Sequence, residues 1–237
     1  MNIVALVVIV LVASILQAAT GFGFAIMAIP FLLLLLEPHD AIQLNIIACL
    51  LISLLMIYKI RKEINREILV RLIKGSLIGI LPGLVLFIFL DVRPLKLLVS
   101  ILILAITGLL VTKINFKRSN IKELMVGAFS GLLTTSIGLP GPPLMIYFAG
   151  AKVDKVTIRG TTLAYFVFVS SMSLLLQFSL YNISTVVWVS TLWAIPFIFL
   201  GVFLGEWLFA RLPQQLLQKI IYLLLFFTGT YLLFTTL

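Results

Sequence analysis

The sequence predicts an all-α polytopic membrane protein made of two inverted repeats, each a broken re-entrant helical hairpin plus three transmembrane helices. Three observations carry that expectation. The chain of 237 residues is 62% hydrophobic and only 11% charged, too little polar surface to coat a soluble globule. Two of its long apolar segments are interrupted near the middle by glycine and proline, at corresponding places in the two halves. Its 17 Lys and Arg residues lie in or beside short connectors between apolar spans, which suits a membrane face better than a nucleic-acid surface.

The first broken segment covers residues 3–36 and is interrupted by Thr20-Gly21-Phe22-Gly23-Phe24. Inside a bilayer, non-helical backbone leaves N–H and C=O groups unpartnered, so it persists only where protein or a polar cavity surrounds it. It lacks a basic n-region and a cleavage site, so it reads as retained structure rather than a signal peptide. Spans follow at 40–60, 68–90 and 94–112, each close to the roughly 20 apolar residues a membrane helix needs. These elements form the first repeat, 1–118. The second repeat, 119–237, has the same order. Its broken segment, 121–151, is interrupted by Ile137-Gly138-Leu139-Pro140-Gly141-Pro142-Pro143, and spans follow at 157–180, 184–210 and 215–236. Further echoes support a duplication: Gly79-Ile80-Leu81-Pro82-Gly83 with Gly201-Val202-Phe203-Leu204-Gly205, and Pro94 with Pro213. Cys49 is the only cysteine, which excludes an internal disulfide or a cysteine metal cluster, and no cofactor is expected.

Charge decides the topology. If each broken segment crosses once, the Lys and Arg residues divide ten against seven. If each is a hairpin that leaves on the side it entered, the split is fifteen against two, with only Arg93 and Lys96 outside. The second count is what the positive-inside rule expects. It places the basic loops in the cytoplasm and both termini outside. Arms of about 15 residues would reach roughly 22 Å, so the tips would meet near the centre of the membrane. A kinked full crossing at each break is the alternative.

A half-helix that starts at a break presents free N–H groups and the positive end of its dipole. Pro142 and Pro143 suit the first turn of such an arm, and Gly141, Gly21 and Gly23 let backbone approach a ligand. Two opposed helix N-termini make an anion site without a buried Lys or Arg. The predicted substrate contacts are Gln17, Thr20, Gly21, Phe22 and Gly23 at the first break, and Thr135, Ser136, Gly138 and Gly141 at the second. Asn45 and its counterpart near Thr161 join them. For each polar side chain, a plain helix-packing hydrogen bond is the competing reading.

The run Ala18-Ala19-Thr20-Gly21-Phe22-Gly23-Phe24, the later Pro30, the run Ser136-Ile137-Gly138-Leu139-Pro140-Gly141-Pro142-Pro143, and Thr161-Thr162 after Arg159-Gly160 together resemble the TauE/SafE family of sulfite exporters and sulfonate permeases. The resemblance covers essentially the whole chain. It implies transport of a small sulfur oxyanion or organosulfonate, such as sulfite, thiosulfate or a sulfoacetate-like anion, across a bacterial or archaeal plasma membrane.

Other residues have simpler expectations. Glu206 is expected to pair with Arg211 at the interface, and His39 to sit exposed in an outer connector. Arg159 is expected to anchor the cytoplasmic face, with attraction of the anion as its second reading. No nucleophile–base pair stands out in the sequence, so an enzyme is not expected. An alternating-access carrier leads; an anion channel on the same scaffold and a non-transporting membrane subunit are the alternatives. The partners implied are the anion and the bilayer, not nucleic acid, with a homodimer left open.

Overall fold

The computed structural model describes residues 2–89, 118–151 and 153–211, with positions 94, 101 and 230. Among the described residues there are eight helices and no strand. They are α1 (Ile3–Thr20), α2 (Phe24–Leu35), α3 (Pro38–Ile60), α4 (Arg66–Phe89), α5 (Asn120–Ile137), α6 (Gly141–Ala151), α7 (Lys155–Leu180) and α8 (Thr185–Arg211). Each boundary falls within two residues of its expected place, while the expected spans 94–112 and 215–236 lie outside the described residues. Five helices, α1, α3, α4, α7 and α8, are long and apolar enough to cross a membrane.

Local chemistry explains where these helices begin and end. Asn2 and Asp154 accept hydrogen bonds from Ala5 and Thr157 and so cap α1 and α7. The Thr157 N–H holds the Asp154 carboxyl below its ordinary range. Pro38 opens α3, where a missing N–H costs nothing. Gly21 (φ +86°) and Gly138 (φ +71°) end α1 and α5 in the left-handed conformation that glycine adopts without penalty.

Two glycine seams set the helix directions. On α4, Gly75, Gly79 and Gly83 lie against the α5 backbone at Leu124, Ala128 and Leu132. A Cβ at Gly79 would stand 1.8 Å from the Ala128 carbonyl oxygen, so only glycine allows this approach. On α8, Gly201 packs against Leu11 and Ser14 of α1, and Gly205 against Ile15 and Ala18. Contact positions climb together in both pairs, so α5 runs parallel to α4 and α1 parallel to α8.

Polar contacts define the two ends of the bundle. Lys59 and Arg159 reach Glu206, while Arg71 and Arg118 reach Glu123. Every Lys and Arg among the described residues lies toward this basic end. At the other end, His39 packs between Phe87 and Tyr181, and Ser184 donates to Asp40.

Both broken segments reverse direction. Ser130 Oγ donates to the Pro140 carbonyl at 2.6 Å, and Tyr147 OH donates to Glu123 Oε1 at 2.6 Å. A continuous helix would separate residues 123 and 147 by about 36 Å. In the first segment, a Cβ at Gly23 would lie 3.4 Å from Leu16 Cβ, and α2 returns to the end where Glu37 and Pro38 open α3. Each broken segment thus folds back on itself as a pair of helices.

The arms differ from expectation in length. They hold 18 and 12 residues in the first hairpin and 18 and 11 in the second. Each long arm lies along a glycine seam with a helix of the other half, which carries its tip past the centre. Gly21 rests on Arg159 near the start of α7, and Gly138 lies beside Ile42 and Asn45 near the start of α3. The glycine tips thus sit toward opposite ends rather than meeting in the middle.

Candidate functional site

What meets between the tips is the backbone just beyond each of them. A Cβ at Gly141 would lie 3.5 Å from Phe22 Cβ, 3.7 Å from Ile26 Cδ1 and 3.9 Å from the Phe166 ring. Those distances are ordinary contact, so the N-termini of α2 and α6 lie side by side. α2 follows Gly23 and has no side-chain cap, so the N–H groups of Phe24, Ala25 and Ile26 have no intrahelical acceptor. In α6, Pro142 and Pro143 have no N–H, which leaves Gly141 as the one donor among its first three residues. The positive ends of two helix dipoles face one region.

The predicted polar side chains surround this region but are mostly engaged. Gln17 Nε2 donates to the Cys49 carbonyl at 3.1 Å and to Ser53 Oγ at 3.2 Å, while its buried Oε1 has no partner. Asn45 Nδ2 donates to the Gly138 carbonyl at 2.7 Å, and its Oδ1 is likewise unpartnered. Thr20 Oγ1 donates to the Leu16 carbonyl at 2.7 Å and accepts from Phe22 N–H at 3.2 Å. Thr135 Oγ1 lies 2.7 Å from Ser173 Oγ and 3.0 Å from the Gly131 carbonyl; Ser136 Oγ donates to Leu132 at 2.7 Å. These hydroxyls are engaged within the protein, which leaves the positive ends of the two helices as the field an anion would meet at the centre. Thr161 stands apart, accepting the Asn65 N–H at 3.0 Å in the turn between α3 and α4.

Some members were missed in the sequence. Gln177, fully buried, donates to the Thr135 carbonyl at 2.9 Å and braces the long arm of the second hairpin. Its signal was present, since a lone amide in an apolar span needs a partner. Glu123 is 1% exposed and takes donors from Arg71 (2.8 Å), Arg118 (3.3 Å) and Tyr147 (2.6 Å), tying α6 to the base of α5. No linear pattern joins those four residues.

Three expectations are corrected by packing. Arg159 is not a solvated anchor: it is 5% exposed, donates from Nε to the Ala18 carbonyl at 2.9 Å, and lies over the Phe209 ring at 4.2 Å. Glu206 pairs with Lys59 at 2.7 Å and approaches Arg159 at 3.9 Å, while Arg211 stacks on Trp207 at 4.2 Å. Helix α8 turns Glu206 inward toward α3 and α7, away from its expected partner. His39 is half-buried in the first turn of α3, its ring nitrogen 2.9 Å from the Phe87 carbonyl.

The basic end thus holds a compact ionic group. Glu63, in the turn after α3, packs against Gly160 beside Arg159. Burial pushes the Glu63 carboxyl up; Arg159 pulls it back in part, and Glu206 adds to the rise.

The family model described as sulfite exporter TauE/SafE matches residues 6–232, nearly the whole chain. No curated protein and no solved structure matches it.

Proposed function

We propose, because the chain belongs to the sulfite exporter TauE/SafE family, that it is a secondary transporter moving a small sulfur oxyanion or organosulfonate by alternating access. The family implies a membrane exporter of sulfur anions; the anion and the mechanism are our reading. The observation that carries it is the adjacency of Phe22 and Gly141, which brings two helix N-termini together. The backbone at Gly21, Phe22, Gly23, Gly138 and Gly141 holds the anion in this reading, with Gln17, Asn45, Thr20, Thr135 and Ser136 shaping the site. Each helix terminus contributes about 0.3–1 kcal/mol when exposed and up to roughly 2 when partly buried. Micromolar to millimolar binding, on the order of −4 to −8 kcal/mol, is therefore expected, weak enough for release.

The halves act as an inverted repeat in this mechanism. Support comes from the helix directions, since α5 runs opposite to α1, α6 to α2, α7 to α3 and α8 to α4. The basic end faces the cytoplasm of the plasma membrane, as the positive-inside rule favours. Proteoliposomes loaded with sulfite, thiosulfate, sulfate or methanesulfonate test the function. Saturable flux that an imposed gradient of the counter-transported species drives uphill supports a carrier. Flux that only dissipates gradients and does not saturate overturns the carrier in favour of a channel, and no flux of any anion overturns transport altogether.

A further inference from the structure

We propose that Arg159 and Glu63 form a second anion subsite at the basic end, one that takes up a small oxyanion together with one proton. It rests on the anion-transport reading above.

The site is built from buried, incompletely satisfied groups. Arg159 is 5% exposed, yet its Nη2 has no hydrogen-bond partner; its nearest anionic neighbour, Glu206 Oε1, lies 3.9 Å away. Glu63 Oε2 is also buried without a partner. An unmet donor and an unmet carboxylate oxygen are costly in a desolvated place, and neither satisfies the other here. An oxyanion would accept from Nη2, and a proton on Glu63 would donate to the same oxyanion.

Charge balance gives the proton. Lys59 and Arg159 offset Glu63 and Glu206, so the cluster is neutral as built. No other titratable group among the described residues faces Glu63 from α1, whose contribution is the Ala18 carbonyl. Lys155 lies beyond the Phe209 ring at 5.1 Å, and Arg211 is stacked on Trp207. Adding one negative charge beside buried Arg159 and the buried Glu63 oxygen, whose charges already cancel, is unfavourable unless one positive charge enters with it. Glu63, already harder to ionise than an exposed carboxyl, is the group placed to receive it. The subsite also touches the first hairpin, because Arg159 Nε holds Ala18 and its backbone supports Gly21. An anion that draws the guanidinium toward itself competes with that hold, so loading is coupled to the hairpin tip.

Methanesulfonate and ethanesulfonate are suitable probes, since each is a monoanion that takes up no proton near neutral pH. The full chain in lipid nanodiscs, in weak buffer, is titrated with each while proton uptake is recorded. Binding is expected to draw about one proton per anion, with affinity falling toward tenfold per pH unit above the Glu63 midpoint. In Glu63→Gln the proton uptake disappears and affinity becomes flat with pH; Glu63→Asp retains both. Arg159→Gln loses the proton-linked component. Wild-type binding without proton uptake overturns the subsite while leaving transport intact, and needs no variant to fold. Persistent pH dependence in Glu63→Gln also overturns it. If neither probe binds nor crosses proteoliposomes, the transport reading fails and this subsite with it.

Discussion

Asn45 Nδ2 donates to the carbonyl oxygen of Gly138 at 2.7 Å, joining a helix of the first half to the hairpin tip of the second. Both groups are buried, and the left-handed Gly138 leaves its carbonyl pointing away from its own helix. Asn45→Ala should therefore cost about 1–3 kcal/mol, the usual loss when a buried acceptor is left unpaired. Thermal unfolding in detergent would read the stability loss, and transport should fall with it. An unchanged melting point together with normal flux would reject a role for this contact.

Glycines in the two kinds of site should respond differently. Gly79→Ala places a methyl 1.8 Å from the Ala128 carbonyl oxygen, so α4 and α5 must separate and folded yield should collapse. Gly141→Ala meets nothing nearer than Phe22 Cβ at 3.5 Å, so the protein should fold. Gly141→Val should fold less well and block transport, since its branched side chain reaches the junction of the two short arms. Monodispersity on size exclusion and flux in proteoliposomes separate these outcomes.

Stability should depend on Glu63 in a defined direction. Its carboxyl is raised above the ordinary value of 4.5 in the folded protein, so the folded state holds a proton that the unfolded chain releases sooner. The contribution is fully present below 4.5 and is lost as pH rises through the folded midpoint. Glu63→Gln should melt at a higher temperature than wild type above that window and no higher below it. Melting curves at a series of pH values would show the crossover; a variant less stable at every pH would contradict it.

Topology can be read with introduced cysteines. Cys49 is fully buried and stays silent to polar maleimides. Asn182→Cys, in the connector before α8, should label from outside intact cells, and Lys62→Cys only after the membrane is opened. The reverse pattern would invert the orientation.

Helix positions were legible because apolar run length and glycine-proline breaks are local properties. The hairpins were legible through charge, since Lys155, Arg159 and Arg211 join Lys59 and Arg66 at one end only if the chain reverses. The depth of the tips was not. It depends on the seam of Gly75, Gly79 and Gly83 against α5, and glycine spacing alone names no partner helix. The inward turn of Glu206 and the burial of Arg159 were hidden for the same reason, because both are set by contacts among α3, α7 and α8. The sequence marks Gly21 and Gly138 as break glycines, and both take positive φ; the contact of Asn45 with the Gly138 carbonyl has no such local mark. The partner of Thr161, the Asn65 backbone, was not legible because it lies in a turn with no pattern of its own.

The two glycine seams have a consequence for how the chain is made. α1 must lie against α8, and the tip of the first hairpin must rest on α7, yet both partners follow far later in the sequence. As the ribosome delivers the chain, the broken backbone around Gly21 enters lipid before the surfaces that will shield it exist. The second hairpin has no such delay, since α4 is already in place when α5 arrives. Biogenesis is therefore asymmetric between the two hairpins. A nascent chain stalled before α7 is expected to leave the Gly21 break without the partner it rests on in the finished protein.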